Sequence, residues 1–293
     1  MLLWLPLALL NALCESLKDV AIKRYVGVLS GPLITWGMAL CTLPFLVPLI
    51  VWQGRGITDV SFWVALLFSV LINSVAVLMY VWAIQHSDLS TTVPMIAFTP
   101  LFLLFTSPIL IGEWPTRAGV AGVVLVVAGS YLLNIRERRN GYLAPYRALL
   151  RDPGPRMMMG VAFLWSIAAN LDKIGVNTST PLVWVFAVNA GLCITLAPLA
   201  LRRVGQFYTT GGATWGLAGA LLLMGLLNAI SLAAQMTALT LTLVAYVISV
   251  KRTSTVMSVL WGGLLFKEQH LRERLLGALV MLAGVVIISL SSL

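Results

Sequence analysis

Gly112-Glu-Trp-Pro-Thr-Arg-Ala-Gly-Val-Ala-Gly122 and Lys267-Glu-Gln-His-Leu-Arg-Glu-Arg-Leu-Leu-Gly277 are one element met twice in a chain of 293 residues. Glu113 aligns with Glu268, Arg117 with Arg272 and Gly122 with Gly277, all at a separation of 155. The register runs on without a gap: Asn73 meets Asn228, Ala83 meets Ala238, and Ala128-Gly129 meets Ala283-Gly284. With small shifts it reaches Leu17-Lys18-Asp19 against Leu171-Asp172-Lys173 and Pro32-Leu33 against Pro181-Leu182. Repetition at this scale means one structural unit built twice.

The unit is a membrane unit. Apolar residues make up 60% of the chain and charged ones 10%, against about a quarter charged in globular proteins. Apolar runs of about 20 residues, the length that crosses a bilayer as a helix, fall near 2–22, 32–52, 61–84, 90–111, 117–135, 157–176, 181–201, 213–237, 241–266 and 272–291. The expected fold is an all-α polytopic membrane protein of ten transmembrane helices. Residues 1–135 form one five-helix repeat, 136–156 a basic connecting loop and 157–293 the second repeat. Because five is odd, the two repeats enter the membrane in opposite senses, the inverted plan of many secondary transporters.

The double Gly/Lys-Glu element, each copy followed by Ala-Gly late in its helix, resembles the EamA-like branch of the drug/metabolite transporter superfamily over essentially the whole chain. The resemblance implies a carrier with a central cavity lined mainly by helices 1, 3, 4, 6, 8 and 9, whose substrates range over amino acids, drugs and other metabolites. No cofactor is implied.

Topology is read from the cations. Of 19 Lys and Arg, thirteen follow odd-numbered helices and only Arg55 and Arg117 follow even-numbered ones. Positive loops stay cytoplasmic, which puts the 136–156 loop inside and both termini outside. The family that the chain resembles keeps both termini inside. The net charge of +9 thus reads as a topology signal and not as a nucleic-acid footprint. The expected setting is a bacterial or archaeal cytoplasmic membrane, as monomer or homodimer. The chain starts apolar at Leu2 without a basic lead, which reads as a retained first helix. Cys14, Cys41 and Cys193 lie in apolar runs, where free Cys acts as a small hydrophobe and implies no metal site.

Four other cations lie within helices. Lys251 and Arg252 stand near the middle of the ninth span, where a Lys or Arg costs roughly 2.5–3.5 kcal/mol on insertion scales. Their repeat counterparts are Ile96 and Ala97, so the pair departs from the symmetric frame. A mobile ammonium beside a planar guanidinium suits a carboxylate or phosphate, and the pair also resembles the phosphate-binding pair of plastid sugar-phosphate translocators. Ser254 and Thr255 offer hydroxyls beside it, Tyr246 an aromatic contact. Tyr80 and Gln235 share a repeat position but differ in chemistry, as an asymmetric ligand would require; Trp165 is a candidate cavity wall.

Glu15, Lys18 and Asp19 on the first helix, with Asp172 and Lys173 on the sixth, form a coupling or charge network. Glu15 is the candidate proton- or cation-coupling carboxylate, with an ion pair to Lys251 or Arg252 as the alternative. Asn73 and Asn228 read as interhelical amides, and Trp36, Trp63, Trp82, Trp184, Trp215 and Trp261 as interface anchors. Pro94, Pro100 and Pro108 break or kink the fourth helix.

The leading expectation is a secondary carrier for an anionic or zwitterionic small molecule. Alternatives are a transporter or flippase of a lipid-linked anionic head group, and an exporter of neutral or zwitterionic metabolites with Lys251 and Arg252 in an internal salt-bridge network. An intramembrane enzyme is disfavoured, since the only histidines, His86 and His270, lie at loop edges and no His/Asp/Glu cluster of ligand spacing appears.

Overall fold

The computed structural model describes residues 3–25, 31–53, 59–87, 92–134, 152–202, 214–266 and 271–292, and within these every regular element is helical. The elements are α1 (Trp4–Tyr25), α2 (Gly31–Gln53), α3 (Val60–His86), a 3-10 segment (Val93–Phe98), α4 (Thr99–Ile111), α5 (Arg117–Asn134), α6 (Pro153–Asn177), α7 (Pro181–Leu201), α8 (Thr214–Leu241), α9 (Val244–Lys251), α10 (Ser254–Phe266) and α11 (Leu271–Ser291). Local chemistry sets the ends. Asp59 accepts from the Ser61 amide at 3.1 Å, and Thr180 accepts from Val183 at 3.3 Å just before Pro181, as capping side chains ahead of a first-turn proline do. Gly112 closes α4 with φ of 71°, the left-handed conformation that glycine tolerates best.

Among the described residues, five stretches are long and apolar enough to cross a membrane: Leu33–Val51, Val60–Ala83, Pro153–Asn177, Pro181–Leu201 and Ala218–Leu241. The interior sets polar groups into an apolar core, and large apolar side chains also cover the outside. Trp63, Leu67, Phe68, Ile194, Leu279 and Val286 are exposed, while Asn11, Lys18, Asn170, Asn228 and Gln235 are buried. That is the distribution a lipid solvent selects, because helix association there relies on close packing and interhelical hydrogen bonds.

The two halves are related by exchange. α1 packs on α8 and its counterpart α6 packs on α3, while α2 meets its own counterpart α7 and α5 meets α11. The α5–α11 contact fixes the relative sense. A Cβ built on Gly122 would come 2.8 Å from the Gly284 carbonyl oxygen, and one on Gly129 would come 2.6 Å from that of Gly277. Early residue faces late residue, so the helices run antiparallel, and the repeat register is obeyed because 122 pairs with 284 as 129 pairs with 277.

The ninth span differs from the expectation of one helix over 241–266. It is broken twice: by a turn at Thr242–Leu243 and again at Arg252–Thr253. At the second break the amides of Arg252 and Thr253 bond three residues back, to Ser249 and Val250 at 3.1 and 2.9 Å. The Ser249 and Thr253 hydroxyls bond the carbonyls of Ala245 and Val250 at 2.6 and 2.7 Å, competing with the backbone for those acceptors. The fourth span breaks at the equivalent place, between Phe98 and Thr99. There Pro100 has no amide to donate, and the Thr99 hydroxyl holds the Ile96 carbonyl at 2.8 Å.

Candidate functional site

α1 presents Asn11, Glu15 and Lys18 at spacings of four and three, one helical face, and packs that face on α8. The Glu15 carboxylate takes Lys18 Nζ at 2.9 Å, the Ser231 hydroxyl at 2.9 Å and Lys251 Nζ at 3.5 Å. Lys18 also donates to Asn228 Oδ1 at 2.7 Å, and Asn228 donates to Thr42 on α2 at 3.0 Å. Lys251 donates to Gln235 Oε1 at 2.8 Å, an oxygen that Asn11 Nδ2 also reaches at 2.8 Å. Three helices and the end of α9 are thereby tied into one buried polar cluster.

Arg252, the next residue, is handled differently. Its Nη2 donates to the Thr99 hydroxyl at 2.9 Å, at the start of α4, while its buried Nε has no partner. Among the described residues no carboxylate lies within 4.0 Å of it. The guanidinium therefore sits where both broken spans meet, beside the first turns of α4 and α10, with its Nε donor unused. Helix N-termini carry partial positive charge, so this locus favours an anion.

The repeat-related locus, between α6 and α3, has other chemistry. Asn11 and Gln235 are answered by Trp165 and Tyr80, whose rings lie 5.9 Å apart. Lys18 is answered by Asp172, which accepts from Trp184 Nε1 at 2.8 Å and from Ser69 at 3.4 Å. Glu15 and Ser231 are answered by Ala169 and Ala76. Trp184 is not an interface anchor: it is fully buried against Gly175. Asn73 bonds the carbonyl of Ser69 on its own helix at 2.9 Å, so of the two amides only Asn228 has a described bond between helices.

Lys173 points elsewhere. It pairs with Glu113 at 3.0 Å and donates to the carbonyls of Leu239 and Thr242, the latter at 2.8 Å. The other Glu113 oxygen accepts from the Val244 amide at 2.8 Å, at the first residue of α9. The Gly-Glu element thus ends α4 and caps α9. A cavity of about 300 Å³ beside this pair, lined by Ile111, Glu113, Lys173, Asn177 and others, offers no free charge, because three acceptors surround the ammonium and both carboxylate oxygens are bonded.

Of the remaining expected residues, Tyr246 is buried with its ring against Gly119 and its hydroxyl 3.3 Å from the Thr116 amide. It serves the α5 contact and lies apart from the charges. Ser254 and Thr255 are half-buried at the start of α10. The side chain of Asp19 and the loop from 135 to 151 lie outside the described residues. Asn11, Ser231, Thr99 and Trp184 joined the clusters without having been singled out as site residues. For Asn11 the four-then-three spacing with Glu15 and Lys18 was a usable signal.

A model of the EamA-like transporter family matches residues 2–135 and 153–290. A solved crystal structure of a protein that is 17% identical superposes with a TM-score of 0.77, covering 98% of this chain and 96% of that one, a likeness of fold. No curated protein sequence matches the chain.

Proposed function

The chain belongs to the EamA-like transporter family, and from that membership we propose a secondary carrier that moves a small metabolite bearing a carboxylate or phosphate by alternating access. Arg252 carries this reading. It is a half-buried residue whose guanidinium has one described hydroxyl partner, a buried Nε without a partner and no described carboxylate, and charge at membrane depth is costly enough that it is rarely kept without a use. Lys251 is the second arm: it leaves the longer 3.5 Å contact with Glu15 to take the ligand, while Glu15 stays on Lys18. Gln235, Thr99, Ser254 and Thr255 border the anion. Trp165 and Tyr80 supply the apolar wall opposite.

Alternating access is supported by the paired breaks of the fourth and ninth spans, since discontinuous helices at a repeat interface are where such carriers bind. The excess of cations after odd-numbered helices supports a cytoplasmic 136–156 loop and external termini. One observation favours a second reading, an exporter of neutral or zwitterionic metabolites: Lys251 already belongs to the Glu15 cluster, as an internal network would have it.

The test is uptake of succinate, inorganic phosphate and neutral amino acids into liposomes carrying the purified protein, beside Lys251→Gln/Arg252→Gln. Loss of anion uptake in the double variant, by about 100-fold for two charge-assisted contacts, is the expected result. Normal anion uptake by that variant would show the pair to be structural.

A further inference from the structure

Two half-buried carboxylates lie on α1 and α6, and one has charged partners where the other has neutral ones. Glu15 is held by two ammonium groups and a hydroxyl. All three contacts fall on Oε1, and the negative charge is matched by cations at contact distance. Asp172 is met by an indole N–H and a serine hydroxyl only, and among the described residues no cation lies within 4.0 Å of it. Both donors address the same oxygen, Oδ1.

The elements packed on α6 are α3, the 3-10 segment, α4, α7, α8 and α9. Among their described titratable groups, Tyr80 stacks on Trp165, His86 bonds the Trp82 carbonyl, Cys193 lies by Trp36, and Tyr246 is on Thr116. On α6 itself Lys173 is engaged by Glu113, and Arg156 bonds the Asp152 carbonyl at the far end. Among the described residues, Lys251 of α9 is a cation whose charge acts on Asp172, and it does so from beyond ion-pair contact.

We infer that Asp172 is the proton-carrying group of this transporter, taking one proton from the aqueous phase on one face and releasing it on the other, with a substrate anion as its co-passenger. The inference rests on the anion-carrier reading above for the coupling, though not for the site. The only bond made and broken is the O–H of the carboxyl, and the carrier returns unchanged. Coupling follows from Lys251: an anion bound there offsets a positive charge that acts on Asp172, so a neutral Asp172 and a bound anion favour each other. A metal cation fits the place poorly, because the indole N–H is a donor with no lone pair to offer.

The experiment has two arms. Infrared difference spectra of the purified wild type between acid and neutral pH should show a protonated-carboxyl band that is absent in Asp172→Asn and retained in Glu15→Gln. A band that persists in Asp172→Asn, or that vanishes instead in Glu15→Gln, overturns the assignment. In liposomes, succinate accumulation driven by a pH gradient should fall at least about 10-fold in Asp172→Asn and return in Asp172→Glu, which also controls for folding. Accumulation that follows a sodium gradient and ignores pH overturns it as well. If neither succinate nor phosphate is transported by the wild type, the anion reading fails while the infrared arm still decides Asp172.

Discussion

The α1–α8 contact and its counterpart α6–α3 are built on one frame and filled with opposite chemistry. On one side Asn11, Glu15, Lys18, Asn228, Ser231 and Gln235 form a charged and hydrogen-bonded face. On the other the same positions hold Trp165, Ala169, Asp172, Asn73, Ala76 and Tyr80. On the carrier reading proposed above, backbone symmetry would let the two halves rock about a common centre, and side-chain asymmetry would let that centre grip one end of a ligand by charge and the other by aromatic surface. The difference teaches that the repeat explains the scaffold, and that function is to be sought where the repeat fails.

The largest test of this contrast is Lys18→Met against Asp172→Asn. Lys18 has both a carboxylate and an amide partner, and removing one member of a buried ion pair costs about 3–5 kcal/mol. Asp172→Asn keeps an oxygen for Trp184 and Ser69, and should cost less than about 1 kcal/mol, near the mean of a membrane-buried hydrogen bond. Thermal denaturation in detergent compares the two, and equal losses would erase the distinction. Next comes a pair in which the halves should agree. Gly129→Leu and Gly277→Leu push a side chain into each other's carbonyl, and each should lose about 1–3 kcal/mol as overpacking does. Clearly unequal melting shifts would deny that the α5–α11 contact is two-fold. The smallest effect concerns the amides. Asn228→Leu breaks bonds to Lys18 and Thr42, whereas Asn73→Leu breaks bonds to Ser69 alone. The first should melt lower by several degrees and the second by a degree or two, since such amides average about 0.6 kcal/mol.

Much of the frame was legible from the sequence. The constant separation of 155 joins Gly122 and Gly129 to Gly277 and Gly284, and the structure places all four in one antiparallel contact. Lys251 and Arg252 stood out because a bilayer makes charge conspicuous. What escaped depends on contacts between helices far apart in the chain. Nothing in the spacing of Trp184 says that its indole turns inward to Asp172, since interfacial and buried tryptophans share the same apolar neighbours. The break at Arg252–Thr253 was hidden because it rests on the rotamers of Ser249 and Thr253, which composition does not encode. The second half of the Gly-Glu element was also hidden: Glu113 was known as a repeat marker, and its work as the cap of α9 is seen only when residue 244 is brought beside it.

The close approach of α5 and α11 has a consequence for movement. Where the backbone of one helix fills the space of its partner's missing Cβ, few side chains lie between them and little room is left to repack. Such a joint can turn a little but cannot slip. On the carrier reading proposed above, α5 and α11 would form the axle, and the play needed to expose the site by turns would fall to other contacts, such as α2 on α7 and the broken spans on either side of Arg252.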